Sequence, residues 1–380
     1  MLAARLHGLK DLRVSEVKPP GPPAAGEVLL RVNAVGICGS DLLAYQDRGL
    51  AKIVRRRPLI LGHEFSGEIA AVPPEGAIGG DGRPLTPGTR VAVDPARSCG
   101  RCEQCERGHP NLCTDLHFYG LHPDDGSLRT QMLVPARNCF ALPPGISPAA
   151  GAMLETLGVA MHAVELARIR VAERIAILGA GPIGLCILQV AKLAGALPIL
   201  VADPLPWRLK AAERLGAFPL PGNAAERLRI VETMTGSHGV DVAIEAAWAD
   251  ESIQQAAELC RPGGRLVLVG IPRDDRLSLS HSTARRKGLP ILLSRRMKHT
   301  YPRAIHLVES GAVDLEGLIT HRFPLYEAPE AFIVNAVYPR RLIKVIIDVS
   351  DRGRRPRVAS APRGRRGIRE STRQRPKVSA

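Results

Sequence analysis

Arg174-Ile175-Ala176-Ile177-Leu178-Gly179-Ala180-Gly181-Pro182-Ile183-Gly184 is the stretch that sets the architecture. A short unbroken apolar run, a glycine-rich turn and then apolar residues at helical spacing from Leu185 to Leu193 read as strand, turn and helix. A second apolar run, Pro198-Ile199-Leu200-Val201-Ala202, ends on Asp203, 24 residues after Gly179. Strand, G-x-G-x-x-G, helix, strand and acid in that order form a dinucleotide-binding unit. Gly179 permits the tight turn, Gly181 lets the backbone approach a pyrophosphate, and Gly184 lets the helix pack closely on the strand. The helix N-terminus would face the phosphate charge. Asp203 would hydrogen-bond a ribose diol and repel a 2′-phosphate, which favours NAD over NADP. Val240 to Glu245 and Gly264 to Gly270 suggest later strands. The long apolar region from Ile175 to Val201 is not a membrane span, because its glycines, Pro182, Lys192 and Pro198 divide it.

Upstream, the first 150 residues are rich in short strands and Gly/Pro punctuation, which implies a β-barrel-like lobe. Glu27 to Val35 reads as a strand running into Gly36-Ile37-Cys38-Gly39-Ser40-Asp41, where glycines bracket a cysteine on a turn. Pro58 to Ile69 reads as another strand, with His63 and Glu64 at its glycine-marked start, and Pro87 to Val93 repeats turn-then-strand. Cys99, Cys102, Cys105 and Cys113 make a C-x2-C-x2-C-x7-C array. Thiolates at that spacing reach the corners of one small tetrahedron, the closed structural site of zinc. The N-terminus, Met1 to His7, has no apolar run fit for a secretory leader, so metal is favoured over disulfides and a cytoplasmic location is expected. Cys139, Cys186 and Cys260 have no evident partners and read as core residues.

At 380 residues the chain should hold two domains, and its net charge of +15 looks at first like a nucleic-acid signature. Residues 350–380, however, carry eleven Arg and Lys against Asp351 and Glu370, leaving about +6 on the body. That tail has no periodicity and few apolar residues, so it is expected to be disordered. It reads as a solvated extension or as a weak tether to an acidic surface or RNA. With no aromatic interleaving, nucleic acid is not the expected partner.

Cys38, His63 and Glu64 each have metal-binding chemistry, although any one alone would more often be structural. Together with the cysteine array, the glycine fingerprint and Thr320-His321-Arg322-Phe323-Pro324-Leu325, the chain resembles the zinc-dependent medium-chain dehydrogenase/reductase family over roughly residues 5–348. Within it, the pattern is similar to sorbitol/L-iditol-type polyol dehydrogenases, with threonine dehydrogenases as near neighbours. The resemblance implies an α/β protein. It would have a GroES-like β-barrel catalytic domain with a zinc loop over 1–150 and a doubly wound Rossmann NAD-binding domain over 151–295. The chain would return to the catalytic domain over 296–349, and the basic tail would occupy 350–380.

The resemblance also implies two zinc ions per chain: a catalytic one on Cys38, His63 and Glu64 and a structural one on Cys99, Cys102, Cys105 and Cys113. Glu155 sits where liver-type alcohol dehydrogenases place a third zinc-binding cysteine; it would either ligate directly or act through a water and the substrate. Ile183 and Arg208 would join Gly179, Gly181, Gly184 and Asp203 in holding NAD. Val269, Gly270 and Ile271 would line the nicotinamide site, and Arg296 would contact substrate hydroxyls. Ser40 would begin a proton relay, but Leu43 stands where many relatives have a histidine, so the relay must leave by water, a ribose hydroxyl or another group. The implied reaction oxidises a secondary hydroxyl of a small polyol or sugar-like alcohol to a ketone, in a homodimer or homotetramer. Oxidation of threonine or another alcohol is one alternative; a non-catalytic dinucleotide-binding protein tethered by its basic tail is the other.

Overall fold

The computed structural model describes residues 1–46, 58–247, 249–272 and 276–350. The basic tail beyond Ser350 and Arg55, Arg56 and Arg57 lie outside the described residues. Around the glycine fingerprint, six parallel strands run in the order Phe218–Leu220, Ile199–Ala202, Ile175–Leu178, Val240–Glu245, Cys260–Leu268 and Ile291–Leu293. In chain order this is 3-2-1-4-5-6, the doubly wound arrangement whose crevice opens beyond the carboxyl ends of the central strands. Every residue of Ile175–Leu178 and Ile199–Ala202 is buried, as continuous apolar strands covered on both faces must be. The helix Pro182–Leu193 begins with proline at its first turn, where the missing N–H costs nothing.

The other lobe is built on Glu27–Gly36. Glu64–Ala71, Gln131–Pro135 and Lys344–Asp348 all pair antiparallel with it. Arg90–Val93 and Cys139–Ala141 extend the sheet on one side, and Ile319–Pro324 lies parallel to Lys344–Asp348 on the other. The chain therefore leaves this sheet, builds the parallel one, and returns. Between the lobes runs the helix Leu154–Ala167, packed against Pro182–Leu193 and Tyr301–Glu309. Its apolar residues join one core that reaches from Ala34 and Ala92 in the first lobe to Ile177 and Val201 in the second.

Two local readings differ from the sequence expectation. Gly36 to Asp41 is not a simple turn, because a helix, Gly39–Gln46, begins within it. Pro58 to Ile69 is two strands, Leu59–Ile60 and Glu64–Ala71, and His63 lies in the break between them. The break stems from Gly62, whose φ is +94° and where a Cβ would meet Val35 Cγ1 at 2.9 Å. Only glycine turns the chain there.

Candidate active site

The register of the first sheet sets Gly36 opposite Glu64. That pairing brings Cys38, just past the end of one strand, up to His63 and Glu64 at the start of its neighbour. One donor atom from each of the three lies within 4.8 Å of the others. His63 is 4% exposed and Glu64 2%. Sulfur, imidazole nitrogen and carboxylate oxygen converging this closely suit zinc bound with an open fourth position.

Asp41 organises the cluster from behind. Its Oδ2 accepts the Cys38 N–H at 3.0 Å, its Oδ1 accepts the Gly62 N–H at 3.2 Å, and Oδ1 lies 3.6 Å from His63 Nδ1. A carboxylate behind an imidazole orients the ring and leaves the other nitrogen for a metal. Burial works against a charged His63, yet Asp41 and Cys38 outweigh it and raise the imidazole well above its ordinary value. A divalent cation would take the place of that proton.

Lys344, on the last strand, ion-pairs with Glu64 Oε2 and donates to the Ile37 carbonyl at 3.1 Å. Burial lowers its affinity for a proton, but Glu64 and Cys38 reverse that and leave the ammonium more firmly charged than usual. Glu155, in the first turn of Leu154–Ala167, is buried beside the cluster but is not one of its three donors. Burial pushes its carboxyl up to about 7; His63, Lys344 and Arg296 pull it down, and Glu64 raises it further. The Arg296 guanidinium lies 3.5 Å from the centroid of Phe118, whose ring is 5.2 Å from that of His63. Ser40 sits half-buried at the start of Gly39–Gln46, and Leu43 lies on the same helix.

The sulfurs of Cys99, Cys102, Cys105 and Cys113 also lie within 4.8 Å of one another. Zn–S bonds of about 2.3 Å in a tetrahedron place sulfurs about 3.8 Å apart. The Cys102–Cys113 separation is 3.8 Å, far beyond a disulfide bond. Backbone N–H groups, that of Cys105 foremost, bring the Cys102 thiol down to about 6, ready to ligate as thiolate. Cys139, Cys186 and Cys260 are buried in the apolar cores.

In the second lobe Gly179 has φ +105°, and a Cβ at Gly184 would overlap the Gly179 carbonyl oxygen. Asp203 Oδ2 accepts the Ala180 N–H and Oδ1 the Leu205 N–H, both at 2.8 Å, so this acid ties the fingerprint turn to the end of the next strand. Arg208 Nη1 is 3.8 Å from Asp203 Oδ2 and faces Gly181, and its guanidinium lies 5.0 Å from the Tyr338 ring. Ile183 is in the first turn of its helix, while Val269, Gly270 and Ile271 come directly after the strand Cys260–Leu268, at its carboxyl end. Glu245 joins the two adjacent strand ends. Its carboxylate accepts from the Ala247 N–H at 2.8 Å, the Ser252 hydroxyl at 2.7 Å and the Gly270 N–H at 3.2 Å.

Sequence reasoning gave no role to Asp41, Phe118, Glu245 or Lys344. Lys344 left a readable signal: a lone cation inside Leu342-Ile343-Lys344-Val345-Ile346-Ile347 needs a buried partner. Phe118 left none.

A metal-competent triad in the strand-rich lobe and a nucleotide crevice in the parallel one define a metal- and nicotinamide-dependent dehydrogenase. Residues 24–144 match the family model for the alcohol dehydrogenase GroES-like domain, and residues 182–310 that for zinc-binding dehydrogenase. Sorbitol dehydrogenase of Bacillus subtilis is 35% identical over 348 residues, 91% of this chain and 97% of that protein. L-idonate 5-dehydrogenase of Vitis vinifera is 34% identical over 346 residues, 88% of this chain and 91% of that one. Among solved structures, a short chain alcohol dehydrogenase of Escherichia coli CFT073 complexed with NADH superimposes with a TM-score of 0.81 at 31% identity, covering 92% of this chain and 99% of that one. The chain belongs to the zinc-dependent medium-chain dehydrogenase/reductase family. Among the described residues no helix is long and apolar enough to cross a membrane.

Proposed function

We propose that this chain oxidises a secondary hydroxyl of a polyol or sugar-like alcohol to a ketone, with NAD as hydride acceptor. The observation that carries the reading is the triad Cys38, His63 and Glu64, its donors within 4.8 Å of one another, with Glu155 and Arg296 beside it. When bound, zinc supplies Lewis-acid polarisation of the hydroxyl and NAD supplies the acceptor carbon. Cys38, His63 and Glu64 hold the metal, while Asp41 fixes the His63 ring and Lys344 balances the Glu64 charge. Glu155, buried beside the triad, orients the reacting hydroxyl and exchanges a proton with it directly or through water. Arg296 offers donors to the neighbouring hydroxyls that a polyol has and a simple alcohol lacks. Ser40 takes the proton outward, and with Leu43 where a histidine would stand, water or a ribose hydroxyl carries it on.

Gly179, Gly181, Ile183 and Gly184 receive the pyrophosphate. Asp203 and Arg208 take the adenosine ribose, and the Asp203 charge selects NAD over NADP. Val269, Gly270 and Ile271 border the nicotinamide. A second zinc on Cys99, Cys102, Cys105 and Cys113 braces the catalytic lobe. Domain limits at residues 150, 295 and 349, a homodimeric or homotetrameric state and a cytoplasmic location belong to the same proposal. The test is reduction of NAD by zinc-loaded protein across a panel of polyols, simple alcohols and threonine, with metal content measured on the same sample. Turnover with polyols is expected. Oxidation of threonine alone would replace the substrate class, and activity in zinc-free protein would overturn the mechanism.

A further inference from the structure

Arg296 has φ +57°, a left-handed conformation that a residue with a Cβ avoids unless its surroundings impose it. What imposes it comes from several directions. Met297 is buried against Gly158, where a Cβ would meet its Sδ at 2.5 Å, and the Tyr301 hydroxyl donates to the Val93 carbonyl at 2.8 Å. The remaining contacts come from the span between the third and fourth cysteines of the metal loop. Asn111, 5% exposed, donates from Nδ2 to the Arg295 carbonyl at 3.1 Å. His109 Nδ1 lies 3.1 Å from Lys298 Nζ. One residue of the loop thus grips the chain just before Arg296 and another just after it.

We infer that Asn111, assisted by His109, is a positioning residue for Arg296, so that the four-cysteine loop sets where the guanidinium meets the substrate. This rests on the reading of Arg296 as a substrate contact. The two contacts join residues 184 and 189 positions apart in the chain, and they act on a backbone already in a disfavoured region. Releasing them lets residues 295–298 relax and carries the guanidinium off the Phe118 face. The metal loop is then a specificity element as well as a brace.

The test is a double-mutant cycle on the zinc-loaded full chain, with Asn111→Ala, Arg296→Ala and the pair, read as kcat/KM for sorbitol. Asn111→Ala is expected to cost about tenfold in the wild-type background and less than about twofold in Arg296→Ala, because a positioning residue has nothing left to position. NADH affinity should not change, and amide hydrogen exchange over residues 294–300 should quicken in Asn111→Ala without substrate. Equal losses in both backgrounds, or unchanged exchange at 294–300, overturn the inference while Arg296 keeps its assigned contact. An Arg296→Ala variant with wild-type kcat/KM overturns that contact, and the inference with it. If Asn111→Ala does not fold, His109→Ala runs the same cycle from the other side of Arg296.

Discussion

Changing Lys344 to Met keeps an unbranched side chain of similar length and deletes the charge. In the metal-free protein the lysine neutralises Glu64 and donates to the Ile37 carbonyl at 3.1 Å, with both side chains 2% exposed. The variant leaves a buried carboxylate and a carbonyl without the lysine that partners them. Breaking one side of a buried ion pair costs about 3–5 kcal/mol, whereas an exposed pair is worth no more than about 1 kcal/mol. The large figure applies here, because solvent cannot screen what remains. Urea unfolding of chelator-treated wild type, Lys344→Met, Glu64→Gln and the double variant measures it, with equal m-values as the check that the same transition is compared. The double variant has no charge left to strand and should regain at least half of the loss. Restoring zinc should narrow the gap between wild type and Lys344→Met, since the cation offsets the Glu64 charge that the ammonium balanced. A metal-free Lys344→Met within about 1 kcal/mol of wild type would refute the reasoning, as would strict additivity in the double variant.

Glu155 gives a pH signature in the metal-free protein. Its carboxyl rises from an ordinary 4.5 to about 7 on folding, so the folded state holds the proton more tightly. The stability this contributes is complete below 4.5 and lost as pH climbs to 7, by up to about 3 kcal/mol. Glu155→Gln should therefore gain on wild type across that window in denaturant melts, and parallel pH profiles would count against the burial argument. Cys113→Ser should lower zinc by one ion per chain and weaken the first lobe while NADH binding survives; retention of both ions would exclude the four-sulfur site. Asp203→Ser should move the NAD-to-NADP ratio of kcat/KM by about a hundredfold toward NADP. It should also weaken NAD binding, because Ala180 and Leu205 lose their acceptor.

What could be read in advance was local. The fingerprint from Gly179 to Asp203 announces itself because strand, turn and helix each arise from residues close in sequence, and the six-strand order is that of the doubly wound fold it implies. His63 and Glu64 were legible as candidate metal donors beside a glycine, and the fold brings them together with Cys38. The residues that serve them were not legible: Lys344 and Phe118 come on strands distant in sequence, and Asp41, on the helix after Cys38, shows its part only once the fold brings Gly62 and His63 to it. The break at Gly62 escaped for a related reason. Continuous apolar residues from Leu59 to Leu61 read as one strand with Glu64 to Ile69, and only the approach of Val35 to Gly62 shows why the chain must turn.

The pairing of Lys344–Asp348 with Glu27–Gly36 has a consequence for how the polypeptide matures on the ribosome. Proteins made in segments ordinarily consolidate from the amino end, but here the first lobe cannot close until its closing strand, made after the whole parallel sheet, has emerged. The parallel sheet, contiguous from Ile175 to Leu293, can assemble first and hold the unfinished lobe beside it. Until then Glu64 waits without its counter-ion, and nascent chains stopped short of Lys344 would carry every candidate metal ligand but an unbalanced pocket for them.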